Sequence, residues 1–205
     1  MLRHAKGSTD FDDAARQLFE RLGLDAEGGG RDARSMYNPL DCIWKDTTTG
    51  GKIYVGNQQA AQNAALLHRE GITHVVNCTD SMPFFHEREF TYYRFNVTFW
   101  SMAGNSNEQL TKFLQPMYDF VDSCVAKGES VMVHCLAGAH RAGTTGCILL
   151  MYKAGLSAMA AIAAAKRLRP VIDPIGRFPE LLQKVQVLQD EKKRALKKAA
   201  TPEAS

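Results

Sequence analysis

From about Pro39 onward, the chain alternates short apolar runs with longer stretches of helical periodicity. Four runs have the length and composition of strands, at residues 52–55, 72–77, 90–97 and 131–134. Helical patterns cover residues 58–70, 110–125, 142–153, 157–168 and 178–198. Because repeated strand–helix–strand units place their strands side by side in parallel, we expect an α/β fold. Its central sheet should be mainly parallel, with about five strands flanked by helices.

A separate segment precedes this pattern. Apolar residues recur on one face of a predicted helix from Asp10 to Leu22, and the run Gly28–Gly30 that follows predicts a flexible joint. We therefore divide the chain into an N-terminal extension with one helix (1–35), a main domain (36–190) and a basic C-terminal tail (191–205).

The composition restricts the cellular compartment in which we expect this protein. The sequence contains no apolar run of the ~20 residues that a membrane span needs, and its first residues lack the apolar stretch of a secretory signal. Its 5 cysteines form no metal-binding pattern and favour free thiols in a reducing compartment. We expect a cytoplasmic protein, and the basic residues at 192–198 are also compatible with nuclear import. The formal net charge of +3 is too small to indicate nucleic acid.

The most informative stretch joins the last predicted strand to the following helix. A loop in this position points its backbone N–H groups at a common centre near the helix N-terminus, an arrangement that binds anions. Gly138 allows the tight turn, and Arg141 adds a planar pair of donors for two phosphate oxygens. The residues predicted to bind the phosphate are Leu136, Ala137, Gly138, Ala139, His140 and Arg141.

The same positive field acts on Cys135, at the start of the loop. A nearby cation and helix N-terminus stabilise the thiolate, which can attack phosphorus and form a phosphocysteine for water to hydrolyse. A lone buried cysteine is more often a small core residue. The spacing of His134, Gly138 and Arg141 around Cys135, between a strand and a helix, instead favours a nucleophile.

The motif His134-Cys135-x-x-Gly138-x-x-Arg141 resembles the active-site motif of the protein tyrosine phosphatase superfamily. The chain resembles the dual-specificity branch of that superfamily over about residues 40–190, with weaker support from residues 53–57, 71–77, 119–122 and 169–178. This implies a phosphatase catalytic domain with a shallow site, without a cofactor or metal. It also implies activity on phosphotyrosine and phosphoserine/threonine, so the expected partner is a phosphoprotein, with a protein kinase as one candidate.

Two departures from the family pattern concern catalysis. Ala142 follows the motif arginine, where the family has a Ser or Thr whose hydroxyl helps release the phosphocysteine; Thr144 or Thr145 are the candidate replacements. The family's general acid, an aspartate roughly thirty residues before the nucleophile, is also missing. Glu108 is the only carboxylate near the expected loop, and either acts as a displaced acid or serves the first turn of its helix. We expect a weak phosphatase that favours phenolic phosphates.

Three further residues receive secondary predictions. His134 should hydrogen-bond nearby backbone and hold the loop. His140 should point outward at the pocket rim, where it adds positive charge when protonated. Cys78, at the end of the neighbouring predicted strand, resembles a second cysteine that in some relatives forms a reversible disulfide with the oxidised nucleophile.

Other functions stay open on the sequence. A phosphoprotein-binding module of low activity would also fit the missing acid and Ala142. RNA 5′-phosphates or phosphoglucan would require the same chemistry, but the sequence contains no aromatic, basic nucleic-acid platform or carbohydrate module. The loop has no Lys at its variable positions, which disfavours a phosphoinositide. We expect no nucleic-acid or membrane partner.

Overall fold

The structure is a computed structural model that describes residues 9–24, 37–104 and 106–200. The Gly28–Gly30 joint lies outside the described residues. Within them, no single helix has the length and apolar composition of a membrane span, whereas two consecutive helices satisfy that test only as a pair bent by 115°.

A five-stranded sheet forms the centre of the domain. Its strands are β1 (Leu40–Lys45), β2 (Lys52–Gly56), β3 (Ile72–Asn77), β4 (Thr91–Arg94) and β5 (Ser130–His134), in the order β1-β2-β5-β3-β4. β1 pairs antiparallel with β2, and all other pairings are parallel. The predicted α/β fold with a mainly parallel sheet of about five strands is confirmed.

Helices cover both faces of the sheet. They are α1 (Phe11–Leu22), α2 (Gln58–Gln62), α3 (Ala64–Arg69), α4 (Asn107–Val125), α5 (Arg141–Ala154), α6 (Ala158–Leu168) and α7 (Phe178–Ala200). The central strand β5 alternates between two cores. Val131 and Val133 pack in the larger core with α4 to α7, and Met132 packs on the opposite face with α2 and α3.

Three elements differ from the sequence prediction. The antiparallel strand β1 was not predicted. The single helix expected over 58–70 divides at Asn63, whose side chain accepts from Leu66 N at 2.9 Å and so begins a new helix. The strand expected over 90–97 ends at Arg94, and a short 3-10 helix, Val97–Ser101, follows it. By contrast, α4 continues through Pro116 without dividing.

The predicted N-terminal helix forms as α1 and packs on the main domain. The Asp10 side chain caps it, accepting from Asp12 N and Asp13 N at 3.0 Å each. Phe11 stacks on Phe178 with ring centroids 4.6 Å apart. Phe19 is buried and meets the ring of Tyr37 edge to face. At the other end of the chain, α7 continues past residue 190 into the basic segment.

Candidate active site

The carbonyl groups of the loop after β5 accept hydrogen bonds from residues outside the loop, and these bonds hold the loop in place. Leu136 O accepts from Gln58 N at 3.1 Å, and Ala139 O accepts from Asp173 N at 3.0 Å. Because the peptide plane is trans, a carbonyl that points outward directs the next N–H to the opposite side. The N–H groups of the loop are therefore turned toward its interior, where they can bind an anion.

Arg169 secures the middle of the loop. Its fully buried guanidinium donates from Nε to Gly138 O at 2.9 Å and from Nη2 to Ala137 O at 3.1 Å. The other nitrogen, Nη1, donates to Asp41 Oδ2 at 2.6 Å, which ties the loop to β1. A buried charge with all three nitrogens engaged is well compensated, and it fixes the position of two consecutive loop carbonyls.

Tyr37 adds a second outer contact. Its hydroxyl donates to Ala137 O at 2.7 Å and accepts from Asn57 Nδ2 at 3.1 Å. Burial raises the pKa of Tyr37 to about 12, so the hydroxyl keeps the proton that it donates. Sequence reasoning missed Tyr37, and it treated Asn57 and Arg169 only as parts of a weak resemblance.

Gly138 has the role that the sequence predicted. It adopts φ +64°, in the left-handed region, and an added Cβ would lie 2.4 Å from Gly56 O. A side chain here would both strain the backbone and collide with the end of β2.

Arg141 begins α5 and points into the loop. Its side chain is only 7% exposed, and its Nη2 contacts Asp12 Oδ1 of α1. Its buried Nε has no hydrogen-bond partner among the described residues. Burial opposes the charged guanidinium, but the neighbouring Cys135 and Asp12 outweigh it and raise the pKa of Arg141. Nε and Nη2 form one edge of the guanidinium, so half of a two-pronged anion site is free.

Cys135 is buried at the start of the loop, next to Cys78. Cys78 N donates to His134 O at 2.8 Å, and its thiol lies 3.4 Å from Thr145 Oγ1. Burial raises the pKa of the Cys78 thiol, with a smaller contribution from Cys135. The structure thus brings the two cysteines into one neighbourhood, and a disulfide between them stays a prediction.

The His134 ring interacts with the Cys135 backbone, as the prediction of a backbone contact requires, but outside the usual hydrogen-bond geometry. Its ring is fully buried, and neither ring nitrogen has a partner with hydrogen-bond geometry among the described residues. Burial, with the charges of Arg94 and Arg141, lowers the pKa of His134 to about 3. The ring is therefore neutral at physiological pH and fills space beneath the loop.

His140 differs from its prediction. It does not point outward at the rim but is 4% exposed, and its Nδ1 lies 2.7 Å from Asp173 O. The reason is that the segment after α6 covers this side of the loop. His140 thus joins the loop to that segment.

Thr144 is a predicted substitute for the missing hydroxyl after Arg141. Its Oγ1 donates to His140 O at 2.6 Å, and Thr145 Oγ1 donates to Arg141 O at 3.0 Å. Both hydroxyl protons are thus used within α5. Of the two hydroxyls, that of Thr145 is the one in contact with the Cys78 thiol.

Glu108 lies in the first turn of α4, as one of its two predicted roles requires. Its side chain is 77% exposed and forms an ion pair with Lys112 at 2.7 Å. The carboxylate that the structure brings to the loop is instead Asp12, which sequence reasoning missed. Asp12 and Arg141 are 129 residues apart, and no local sequence pattern predicts their contact.

A cleft of about 300 Å³ adjoins the loop at Leu136. Asp12 and Arg16 of α1 form one side of this cleft, and Gln58 lies at the start of α2. The remaining lining comes from the segment after β3, namely Thr79, Ser81, Met82, Pro83 and Phe85. Asp12 thus lies between the buried arginine and a space that can hold the rest of a phosphorylated molecule.

The chain is similar to known proteins in sequence and in fold. Over 134 residues the chain is 29% identical to dual specificity protein phosphatase 1 of Arabidopsis thaliana, covering 65% of each chain. It is 33% identical to human dual specificity protein phosphatase 7 over 128 residues, which are 62% of this chain and 29% of the relative. The chain therefore spans less than two thirds of the length of these relatives.

Solved structures agree with the sequence matches. A mouse dual specificity phosphatase, solved in complex with zinc tungstate, superposes with a TM-score of 0.61 at 27% identity, covering 80% of this chain and 96% of that one. The family profile described as "Dual specificity phosphatase, catalytic domain" matches residues 53–187. This match takes in the whole loop from His134 to Arg141 and more than half of the sequence, and the chain accordingly belongs to the dual specificity phosphatase family.

Proposed function

We propose that this protein hydrolyses phosphate monoesters of tyrosine, serine and threonine in proteins through a phosphocysteine on Cys135. The observation that carries the proposal is the loop with its carbonyls bound outward, which turns N–H groups inward around the start of α5. Phosphoryl transfer needs positioning and charge stabilisation of this kind. A protein kinase is one candidate substrate, and a cytoplasmic or nuclear location is part of the same hypothesis.

Each residue has a definite task in this reaction. Cys135 supplies the attacking sulfur, and Arg141 binds two phosphate oxygens along its Nε–Nη2 edge. The N–H groups of residues 136–141 bind the remaining charge. Both candidate hydroxyls donate to backbone carbonyls, and Thr145 is the better placed of the two to act on the phosphocysteine because its hydroxyl also contacts the Cys78 thiol.

The experiment is steady-state hydrolysis of an aryl phosphate by wild type and Cys135→Ser, with tungstate binding measured on both by calorimetry. We expect turnover by wild type only and tungstate binding by both proteins, because the serine variant keeps the loop and Arg141. Failure of wild type to turn over any phosphomonoester would contradict the proposal.

The second candidate is a phosphoprotein-binding module with little turnover. Ala142 and the engaged hydroxyl of Thr144 favour it, since both slow release of a phosphocysteine. Rapid-mixing kinetics separate the two candidates. A stoichiometric burst of phenol followed by almost no turnover supports the module, and continuous turnover supports the enzyme.

A further inference from the structure

Catalysis of this type needs a proton donor at the ester oxygen, and the structure offers one from an unexpected part of the chain. The leaving oxygen lies opposite the attacking sulfur, so it faces the mouth of the loop. A general acid must be within hydrogen-bond reach of that position. Glu108, with its exposed side chain paired to Lys112, is poorly placed for this task.

Asp12 lies at that mouth. Its Oδ1 contacts Arg141 Nη2, and its side chain, 45% exposed, also lines the cleft beside Leu136. A carboxyl group that touches the phosphate-binding arginine on one side and the substrate cleft on the other is next to the bond between phosphorus and the leaving oxygen. We propose that Asp12 of the N-terminal helix is the general acid of this phosphatase, an inference that rests on the proposed function.

The packing of α1 keeps Asp12 in place when substrate binds. Phe11 stacks on Phe178, and Ala15 and Phe19 are 2% and 1% exposed. The helix also packs against Ala137 of the loop itself. Apolar contacts rather than the ion pair therefore anchor the helix, so a phosphate can displace the carboxylate from Arg141 without displacing α1.

The arginine provides a reason for that displacement. In the free protein Asp12 occupies Nη2, while the buried Nε on the same edge has no partner among the described residues. A phosphate brings two oxygens to this edge and satisfies both nitrogens. The displaced carboxyl group then lies beside the bound phosphate.

The chemical steps balance. The Cys135 thiolate forms the S–P bond as the P–O ester bond breaks, and the leaving oxygen takes the proton of Asp12. In the second step a water oxygen forms a bond to phosphorus while Asp12 accepts its proton, and the P–S bond breaks to restore the thiolate. Asp12 thus returns to its protonated form at the end of each cycle.

The test compares Asp12→Asn with Asp13→Asn in the full chain, using phenyl phosphate and p-nitrophenyl phosphate. Asp13 is the matched control because it lies in the same turn, is 61% exposed and pairs with Arg16. We expect Asp12→Asn to lower kcat/KM on phenyl phosphate by about 10²–10³-fold. The loss on p-nitrophenyl phosphate should be at least tenfold smaller, since that leaving group needs little proton transfer. The basic limb of the pH–kcat profile should also disappear, and Asp13→Asn should match wild type.

Other outcomes would overturn the inference. A gain in kcat/KM on both substrates would show that Asp12 only competes with phosphate for Arg141. An equal loss on both substrates would show that its role is structural, and an unchanged kcat/KM would show that Asp12 takes no part in catalysis. Asp12→Ala, with tungstate affinity as the check on an intact loop, serves if the asparagine variant is unstable. Wild-type kcat/KM on phenyl phosphate in Asp12→Asn, with no activity in Cys135→Ser, would reject Asp12 and leave the proposed function standing.

Discussion

The two ends of the parallel sheet differ in how their polar side chains are paired. At the amino ends of β3 and β5, the Thr73 hydroxyl lies 2.8 Å from His74 Nδ1 and 2.9 Å from Glu129 Oε2. It is also 3.8 Å from the Cys124 thiol. One small side chain therefore contacts three others, and this cluster stabilises the fold. Among the described residues, none of its buried side-chain nitrogen or oxygen atoms lacks a hydrogen-bond partner.

The carboxyl ends of the same strands leave polar groups unsatisfied. Among the described residues, the buried side-chain atoms without a hydrogen-bond partner are both ring nitrogens of His134, His140 Nε2, Arg141 Nε and an oxygen of Asp122. The Asp122 oxygen contacts the Lys153 ammonium, so the other four, all on the loop, are the true cases. An unpaired buried donor costs stability, so its presence in a folded protein requires an explanation, and a ligand that uses the donor is one. The carboxyl end of the sheet therefore carries the groups that can bind a ligand, whereas the cluster at the amino end stabilises the fold.

Removal of Arg141 should have the largest effect on activity. Arg141→Met keeps the aliphatic volume but removes both prongs of the anion site, so kcat/KM should fall by about 10³-fold or more. Stability should stay within about 1 kcal/mol of wild type, because the lost charge was buried and only partly paired. Urea unfolding and aryl phosphate hydrolysis measure the two effects. A large loss of stability would show that the loop end also holds the fold.

Thr73→Val should have the converse effect. The variant leaves His74 and Glu129 without their common partner, so unfolding should become easier by about 1–3 kcal/mol. The value of kcat/KM should stay within about twofold of wild type, because no loop residue is touched. Urea unfolding gives the first quantity, and Thr49→Val, which removes an ordinary hydroxyl bond to Val125 O, is the matched control. Lower activity with unchanged stability would contradict the inference that the Thr73 cluster stabilises the fold and does not affect the loop.

The smallest expected effect is a difference in pH dependence between His134 and His74. The pKa of His134 is about 3 in the folded chain, against ~6.5 when unfolded, so between these values only the unfolded chain binds the proton. Its contribution to stability is complete above ~6.5 and is lost as pH falls, by about 2 kcal/mol between pH 7 and 5. For His74, burial also lowers the pKa, but Glu129 opposes it, so its slope should be shallower.

Unfolding free energies at pH 7 and pH 5 test this point. The loss of unfolding free energy between pH 7 and pH 5 should be smaller in His134→Gln than in wild type. In His74→Gln this loss should decrease by a smaller amount. Equal slopes in all three proteins would show that neither ring is held neutral by burial.

Sequence alone predicted the elements whose signal is local. The strand before Cys135, the periodicity of α4 and the glycine of the turn are all visible in consecutive residues, and the structure has each of them. The strand β1 was missed because its pairing with β2 shifts register between Cys42 and Trp44, which breaks the simple alternation. The division at Asn63 was missed because a side-chain cap interrupts an otherwise continuous helical pattern.

What the sequence could not provide are contacts between distant segments. Asp12 reaches Arg141 across 129 positions, and Arg169 reaches Asp41 across 128. The inward orientation of His140 depends on the segment after α6, which covers it. Such contacts follow from how layers pack, and no periodicity or motif within one element contains that information.

The outer hydrogen bonds of the loop also determine when the site can form. Its carbonyls are bound by Gln58 from the start of α2, Tyr37 from before β1, and Arg169 and Asp173 from after α6. Each of these partners lies 31 to 100 residues along the chain from the carbonyl group that it binds. Contacts of such long range close large loops of chain and form late in folding. Recovery of oxyanion binding during refolding should therefore lag behind recovery of helical signal and report that the whole chain has assembled.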